Sequence, residues 1–271
     1  MKVVTEIAAG GGVSVAQVSI RAQTPRWSEP EAPPGYRLVF VRRGTFRARV
    51  GGHALLAEPA VAYAGGPGVA QSIAHRVGAD DVCTAVTLGP ELMSGLVPGD
   101  RPLGTSVPVT GAVAVAHRLL VARARRGADA LELAERATGL AAALLAARSP
   151  APAAAGRPAT RAARRKLAES ARELVAADPG RSGLAVIARH AGCSPHHLSR
   201  VFRAETGLTL TRYRNRVRVL LALEAIEAGE PDLAALAARL GFADHAHLSR
   251  TVRLECGRSP RDLRRLLAGP N

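Results

Sequence analysis

Residues 184 to 192, Leu-Ala-Val-Ile-Ala-Arg-His-Ala-Gly, return at 233 to 241 as Leu-Ala-Ala-Leu-Ala-Ala-Arg-Leu-Gly, a shift of 49 positions. A second block, Leu198-Ser199-Arg200 with Arg203, Glu205 and Gly207, returns as Leu248-Ser249-Arg250 with Arg253, Glu255 and Gly257, shifted by 50. The extra residue falls between the blocks, where a turn accepts an insertion and a helix interior does not. Each copy therefore predicts helix, Gly turn, helix. A stacked solenoid needs about three copies to bury a continuous core. Two copies call for another use of the repeat.

That use is visible in the second helix of each copy. Leu198, Val201 and Phe202 recur at spacings of three and four and form an apolar stripe, which turns His196, Ser199, Arg200 and Arg203 elsewhere. In the other copy Leu248, Val252 and the surroundings of Leu254 are expected inside, with His245, Ser249, Arg250 and Arg253 outside. A Gly turn after a small-residue helix (Ala188 and Ala191, then Ala237 and Ala238) lets two helices cross closely, the helix-turn-helix shape. Ser194 suits the cap of the following helix and Pro195 its first position, and Asp244 takes the capping place in the second copy.

The charge supports an anionic partner. Lys and Arg number 37 against 22 Asp and Glu, a net +15, and nearly all the basic residues are Arg. Residues 157 to 271 hold 21 basic and 11 acidic side chains, a balance of +10, and the remaining 16 and 11 give +5. A positive surface on the repeat-bearing half attracts polyanions, and counterion release from a phosphate backbone supplies affinity independent of sequence. Cys83, Cys193 and Cys256 form an odd, scattered set without zinc-ligand spacing and read as small buried residues in a reducing compartment. No stretch approaches 18 uncharged apolar residues, so a cytoplasmic, soluble protein without a membrane partner is expected.

Residues 149 to 160 mix Pro, Ala and Gly without helical period and predict an extended, semi-flexible tether. Before it, period-two patterns at Val13 to Ser19, Tyr36 to Arg43 and Thr45 to Val50, with a Gly51-Gly52 turn, predict strands, as do segments near 55–64, 69–75 and 82–88. Six or seven short strands make a small barrel or double-sheet jelly roll. Helices are expected over about 110–126 and 129–148, packing either on the barrel or against a second subunit. Beyond the tether a basic helix from Arg161, the two repeats, a long joining helix over about 211–228 and a short one after Pro260 make about seven helices.

The run Leu240-Gly241-Phe242-Ala243-Asp244, then Leu248-Ser249-Arg250, Gly257 and Ser259-Pro260, together with the preserved spacing of both copies, resembles the DNA-binding domain of the AraC/XylS family of bacterial transcription regulators. The upstream half resembles the cupin-like sensor domain often fused to it. The resemblance implies a multidomain α+β protein. Its parts are a cupin-like β domain at 1–108, a helical pair and dimerisation element at 109–148, a linker at 149–163 and an all-α domain with two helix-turn-helix modules at 164–271. It implies a sequence-specific regulator of transcription, not an enzyme, with double-stranded DNA and RNA polymerase as partners. A homodimer and a small-molecule effector are further partners it allows.

By position in the motif, His196, Ser199, Arg200, His245, Ala246, Ser249 and Arg250 are the base-contacting set. Arg suits guanine, donating to O6 and N7. Arg203, Arg212, Arg216 and Arg253 are assigned to phosphates, which position without reading sequence. The two recognition helices would enter successive major grooves roughly 34 Å apart. An effector would sit near Trp27, Tyr36 or Tyr63. His53 and His75 stand alone, so neither metal nor cofactor is expected. The rival reading is a cupin-type enzyme with an accessory helical DNA-binding domain, which requires convergent His, Glu or Cys side chains on the strands. DNA-repair methyl acceptors, with Cys as acceptor, and protein-binding modules also use helical repeats of this kind.

Overall fold

A computed structural model describes residues 1–97, 105–148 and 157–268. The first half stacks two antiparallel sheets. The larger runs in the order β1-β2-β8-β3-β6-β9, from β1 (Lys2–Gly10), β2 (Val13–Arg21), β3 (Tyr36–Arg43), β6 (Val61–Gly65), β8 (Asp80–Leu88) and β9 (Ser106–Pro108). The smaller is β5-β4-β7, from β4 (Phe46–Val50), β5 (His53–Ala57) and β7 (Gln71–His75). Strand alternation gives the large sheet two apolar faces. Val13, Val15, Leu38, Phe40, Val86 and Leu88 pack toward the helices. Val39, Val41 and Cys83 pack toward Phe46, Ala48 and Val50 of the small sheet. The double-sheet expectation holds, with β1 and β9 added to the strands anticipated.

A short helix, α1 (Pro90–Met93), follows the sheets, and then α2 (Gly111–Ala124) and α3 (Ala130–Ala147), close to the bounds expected. Thr110 and Asp129 cap the latter two through their side chains. They pack on each other, and α3 lies along β1, β2, β8 and β9, as in the first of the two packings considered.

Seven helices make up the C-terminal part: α4 (Pro158–Ala177), α5 (Leu184–His190), α6 (Pro195–Thr206), α7 (Leu210–Glu227), α8 (Leu233–Leu240), α9 (His245–Cys256) and α10 (Pro260–Ala268). The count agrees with expectation. The start does not, because α4 takes residues 158–163 out of the expected linker, whose residues 149–156 lie outside those described.

The two halves share one connected apolar core, running from Val13 and Phe40 through Leu120 and Val121 to Val217, Leu223 and Val252. Glu58, fully buried, receives the Tyr213 hydroxyl of α7 at 2.6 Å and the Arg172 guanidinium of α4 at 3.1 Å. Arg42 of β3 donates to Glu224 and Glu227 of α7, each at 2.8 Å, and Arg118 of α2 reaches the same two carboxylates. At Gly111 a Cβ would come within 1.8 Å of the Glu255 carbonyl oxygen, so only glycine lets the start of α2 abut the end of α9.

Candidate nucleic-acid interface

The two modules are built by the same local chemistry. In the first, Ile187 and Ala188 of α5 share a core with Leu198 and Phe202 of α6, and the Ser194 hydroxyl accepts from the His197 N–H at 3.2 Å. Phe202 meets Tyr213 of α7 edge to face, with centroids 5.2 Å apart. In the second, Leu236, Ala237 and Leu240 of α8 share a core with Leu248 and Val252 of α9. The Asp244 carboxylate caps α9 by accepting from the His247 N–H at 2.6 Å. The turn between α8 and α9 needs Gly241. It sits at φ +75°, and a Cβ there would stand 2.5 Å from the Gly180 Cα.

Each second helix thereby presents the face its stripe leaves over. His196, Arg200 and Arg203 on α6 are exposed, as are His245, Ala246, Arg250 and Arg253 on α9. Ser199 and Ser249 are half-buried at the margins, with the Ser249 hydroxyl 3.3 Å from His245 Nε2. Arg212, at the start of α7, is exposed as well. The side chains of Arg200, Arg203, Arg212, Arg250 and Arg253 make no hydrogen bond or ion pair with a described residue, although Arg253 lies in the field of Asp262.

Arg216, Leu254 and Trp27 depart from expectation. Arg216 is 8% exposed and pairs with Glu255 of α9 at 3.5 Å, so its guanidinium faces into the protein and not toward a phosphate. It lies one turn beyond Arg212, where α7 passes under α9. Leu254 is 83% exposed, because the apolar stripe of α9 ends at Val252. Trp27 is not among the residues lining the cavity between the sheets. It is held at the surface under the Arg49 guanidinium, 4.3 Å from its ring.

Sequence reasoning also missed Arg218. Buried on α7, it donates to the carbonyls of Pro179 and Gly180 and lies over Phe242, which ties the loop before α5 to the second module. Burial, and then the neighbouring Arg214, hold its pKa down to about 10.

In the strand half, a cavity of about 180 Å³ opens between the sheets, lined by Val18, Val39, Tyr63 and Ile73 with Arg37 and Gln71. Tyr63 lines this cavity. Tyr36 does not, since it alternates with Arg37 and Val39 and packs on the helix side of β3. Gln71 Nε2 and Arg37 Nε are buried without a partner. His53 is exposed, while His75 is buried and meets Asp81 at 2.6 Å. Among the described residues no three His, Cys, Asp or Glu side chains gather as metal ligands. Cys256 is half-buried at the end of α9; burial first, and Glu255 second, push its thiol up to about 12, away from the thiolate a nucleophile needs. No helix among the described residues is long and apolar enough to cross a membrane.

A family model described as a helix-turn-helix domain matches residues 187–266, the span from α5 to α10 in which both modules lie. Residues 187–266 thus match a helix-turn-helix domain. The chain is 37% identical over 78 residues to the HTH-type transcriptional activator RhaS of Escherichia coli (strain SE11), an alignment covering 29% of this chain and 28% of that protein. The chain therefore spans about a quarter of the length of the curated relatives it matches. Among solved structures, a transcriptional regulator with an AraC-type DNA-binding domain from Chromobacterium violaceum aligns at 23% identity, covering 41% of this chain and 99% of that one, TM-score 0.37. ToxT from Vibrio cholerae O395 aligns over 96% of this chain and 99% of its own at 11% identity, TM-score 0.37.

Proposed function

We propose that this protein is a sequence-specific DNA-binding regulator of transcription. In this reading α6 and α9 enter successive major grooves and α7 holds them apart. His196, Ser199, Arg200, His245, Ala246, Ser249 and Arg250 face base edges, and Arg203, Arg212 and Arg253 face phosphates. Bidentate Arg–guanine contacts at Arg200 and Arg250 carry most of the discrimination. RNA polymerase is the partner at the promoter. A small molecule in the cavity beside Tyr63 is the effector, recognised in part by the unpartnered Gln71 amide. Residues 1–108 with the helical pair 109–148 form the sensing part and residues from α4 onward the reading part.

One observation carries this reading. Two helices with the same outward chemistry expose arginines that no described carboxylate holds, whereas Arg172 and Arg216 on other helices of the same half are paired with Glu58 and Glu255. Anisotropy titrations of the protein with selected operator DNA at increasing salt test it. Contacts to several phosphates predict log affinity falling linearly with log salt, by roughly 0.9 per phosphate. A flat dependence would overturn the reading in favour of a protein-binding module.

A further inference from the structure

β1 ends the larger sheet. It pairs with β2 on one side and with no described strand on the other. From Lys2 to Glu6 its register with β2 is unbroken, Lys2 opposite Ile20 through to Glu6 opposite Ala16, and a bulge follows before Ala8. The Met1 amino group donates to the Arg21 carbonyl at 2.6 Å, and the Arg21 N–H donates to the Met1 carbonyl at 2.9 Å. Such exchanges alternate along an antiparallel pair. Val3 and Thr5 therefore turn their backbone groups toward β2, and Lys2, Val4 and Glu6 turn theirs outward. All five residues are exposed, Val3 at 44% and Val4 at 57%. A straight edge without proline is a template for another strand.

We propose that this edge pairs with the same edge of a second copy, antiparallel, about a two-fold axis through Val4. Charge selects among the axes that pass through an outward residue. Among the outward residues, an axis at Lys2 sets two ammonium groups together and an axis at Glu6 two carboxylates. An axis at Val4 sets Lys2 against Glu6 twice and lets each outward residue both donate and accept across the join. The regular segment is itself centred on Val4, so the bulge limits pairing symmetrically in both copies. Lys2 already bridges to Glu31 at 3.0 Å, and its ammonium retains further donors for Glu6. The two large sheets then run on as one through the dimer, with the cavity walls formed by Lys2 and Val4 beside the axis.

Sedimentation velocity on the full chain tests this. The wild-type protein is expected to sediment as a dimer. Lys2→Glu and Glu6→Lys are each expected to be monomeric, a twofold loss of mass, because each sets like charges together at both ends of the join. An equimolar mixture of the two variants should recover the dimer, since one edge is then wholly acidic and the other wholly basic. Val4→Pro removes an outward N–H that β2 does not use and should abolish the dimer while leaving a folded monomer with the wild-type circular dichroism spectrum. A monomeric wild type, single variants that stay dimeric, or a mixture that remains monomeric would each overturn the proposal.

Discussion

Arginine does opposite things on the two sides of the helix-turn-helix domain. Where the domain meets the sheets, Arg42 and Arg118 are each 5% exposed and share the carboxylates of Glu224 and Glu227, and Arg172 is 14% exposed against Glu58. On α6 and α9, Arg200, Arg203, Arg250 and Arg253 stand in solvent without a described ion-pair partner. The difference is one of solvation. A guanidinium taken out of water needs acceptors nearby to offset its desolvation, and at this seam they are carboxylates. One left in water keeps its donors free for an anion that arrives later. The seam arginines thus belong to the fold and the outward ones to the partner, and substitutions should separate these roles.

The largest effect is expected at Glu58. It is fully buried and accepts from the Ala60 N–H at 2.8 Å as well as from Tyr213 and Arg172. Burial alone would lower the Arg172 pKa, but Tyr213 and Glu58 outweigh it and raise it. Glu58→Ala strands that charge and the Tyr213 hydroxyl together, a cost of about 3–5 kcal/mol. Urea unfolding of the full chain measures it. A loss under about 1 kcal/mol, the scale of an exposed pair, would erase the contrast between the two sides.

Next in size is the double variant Arg200→Ala, Arg250→Ala. Each side chain should contribute about 1–3 kcal/mol of discrimination between the preferred operator base and its substitute. Neither should move the unfolding midpoint by more than about 0.5 kcal/mol, as surface positions of this kind do not. Competition titrations with operators altered at single positions read the first quantity and thermal melts the second. A fall in stability with discrimination intact would place these arginines with the seam group.

The outward face was legible in the sequence and the seam was not, for a physical reason. The stripe of Leu198, Val201 and Phe202 is a local pattern, and helical geometry alone then fixes where Arg200 and Arg203 point. The partners of Arg42 are 182 and 185 positions away, and those of Arg118 are 106 and 109. No period in the chain relates them. Arg212 and Arg216 make the same point on one helix. Both sit on the basic first half of α7, and only the packing of α9 over the second decides that Arg216 is covered. In the strand half the signal failed differently. β1 alternates Lys2, Val4 and Glu6 with Val3 and Thr5 as an exposed edge, which leaves no apolar face to read. The aromatic candidates for the cavity hinged on strand parity, and one step along β3 separates Tyr36 from the cavity-lining Arg37.

The smallest effect gives the finest test of the contrast. Arg253→Ala should lower the slope of log affinity against log salt by about 1, weaken binding to all sequences alike, and leave the melt unchanged. Arg216→Ala should do the reverse. Its guanidinium is already spent on Glu255 beneath α9, so the salt slope should stay at the wild-type value while the unfolding midpoint falls. Both measurements can be made on one pair of proteins with one operator, so errors in absolute affinity cancel between them. Equal changes in slope would mean that Arg216 leaves Glu255 when DNA binds, and the division between fold arginines and partner arginines would then describe the free protein only.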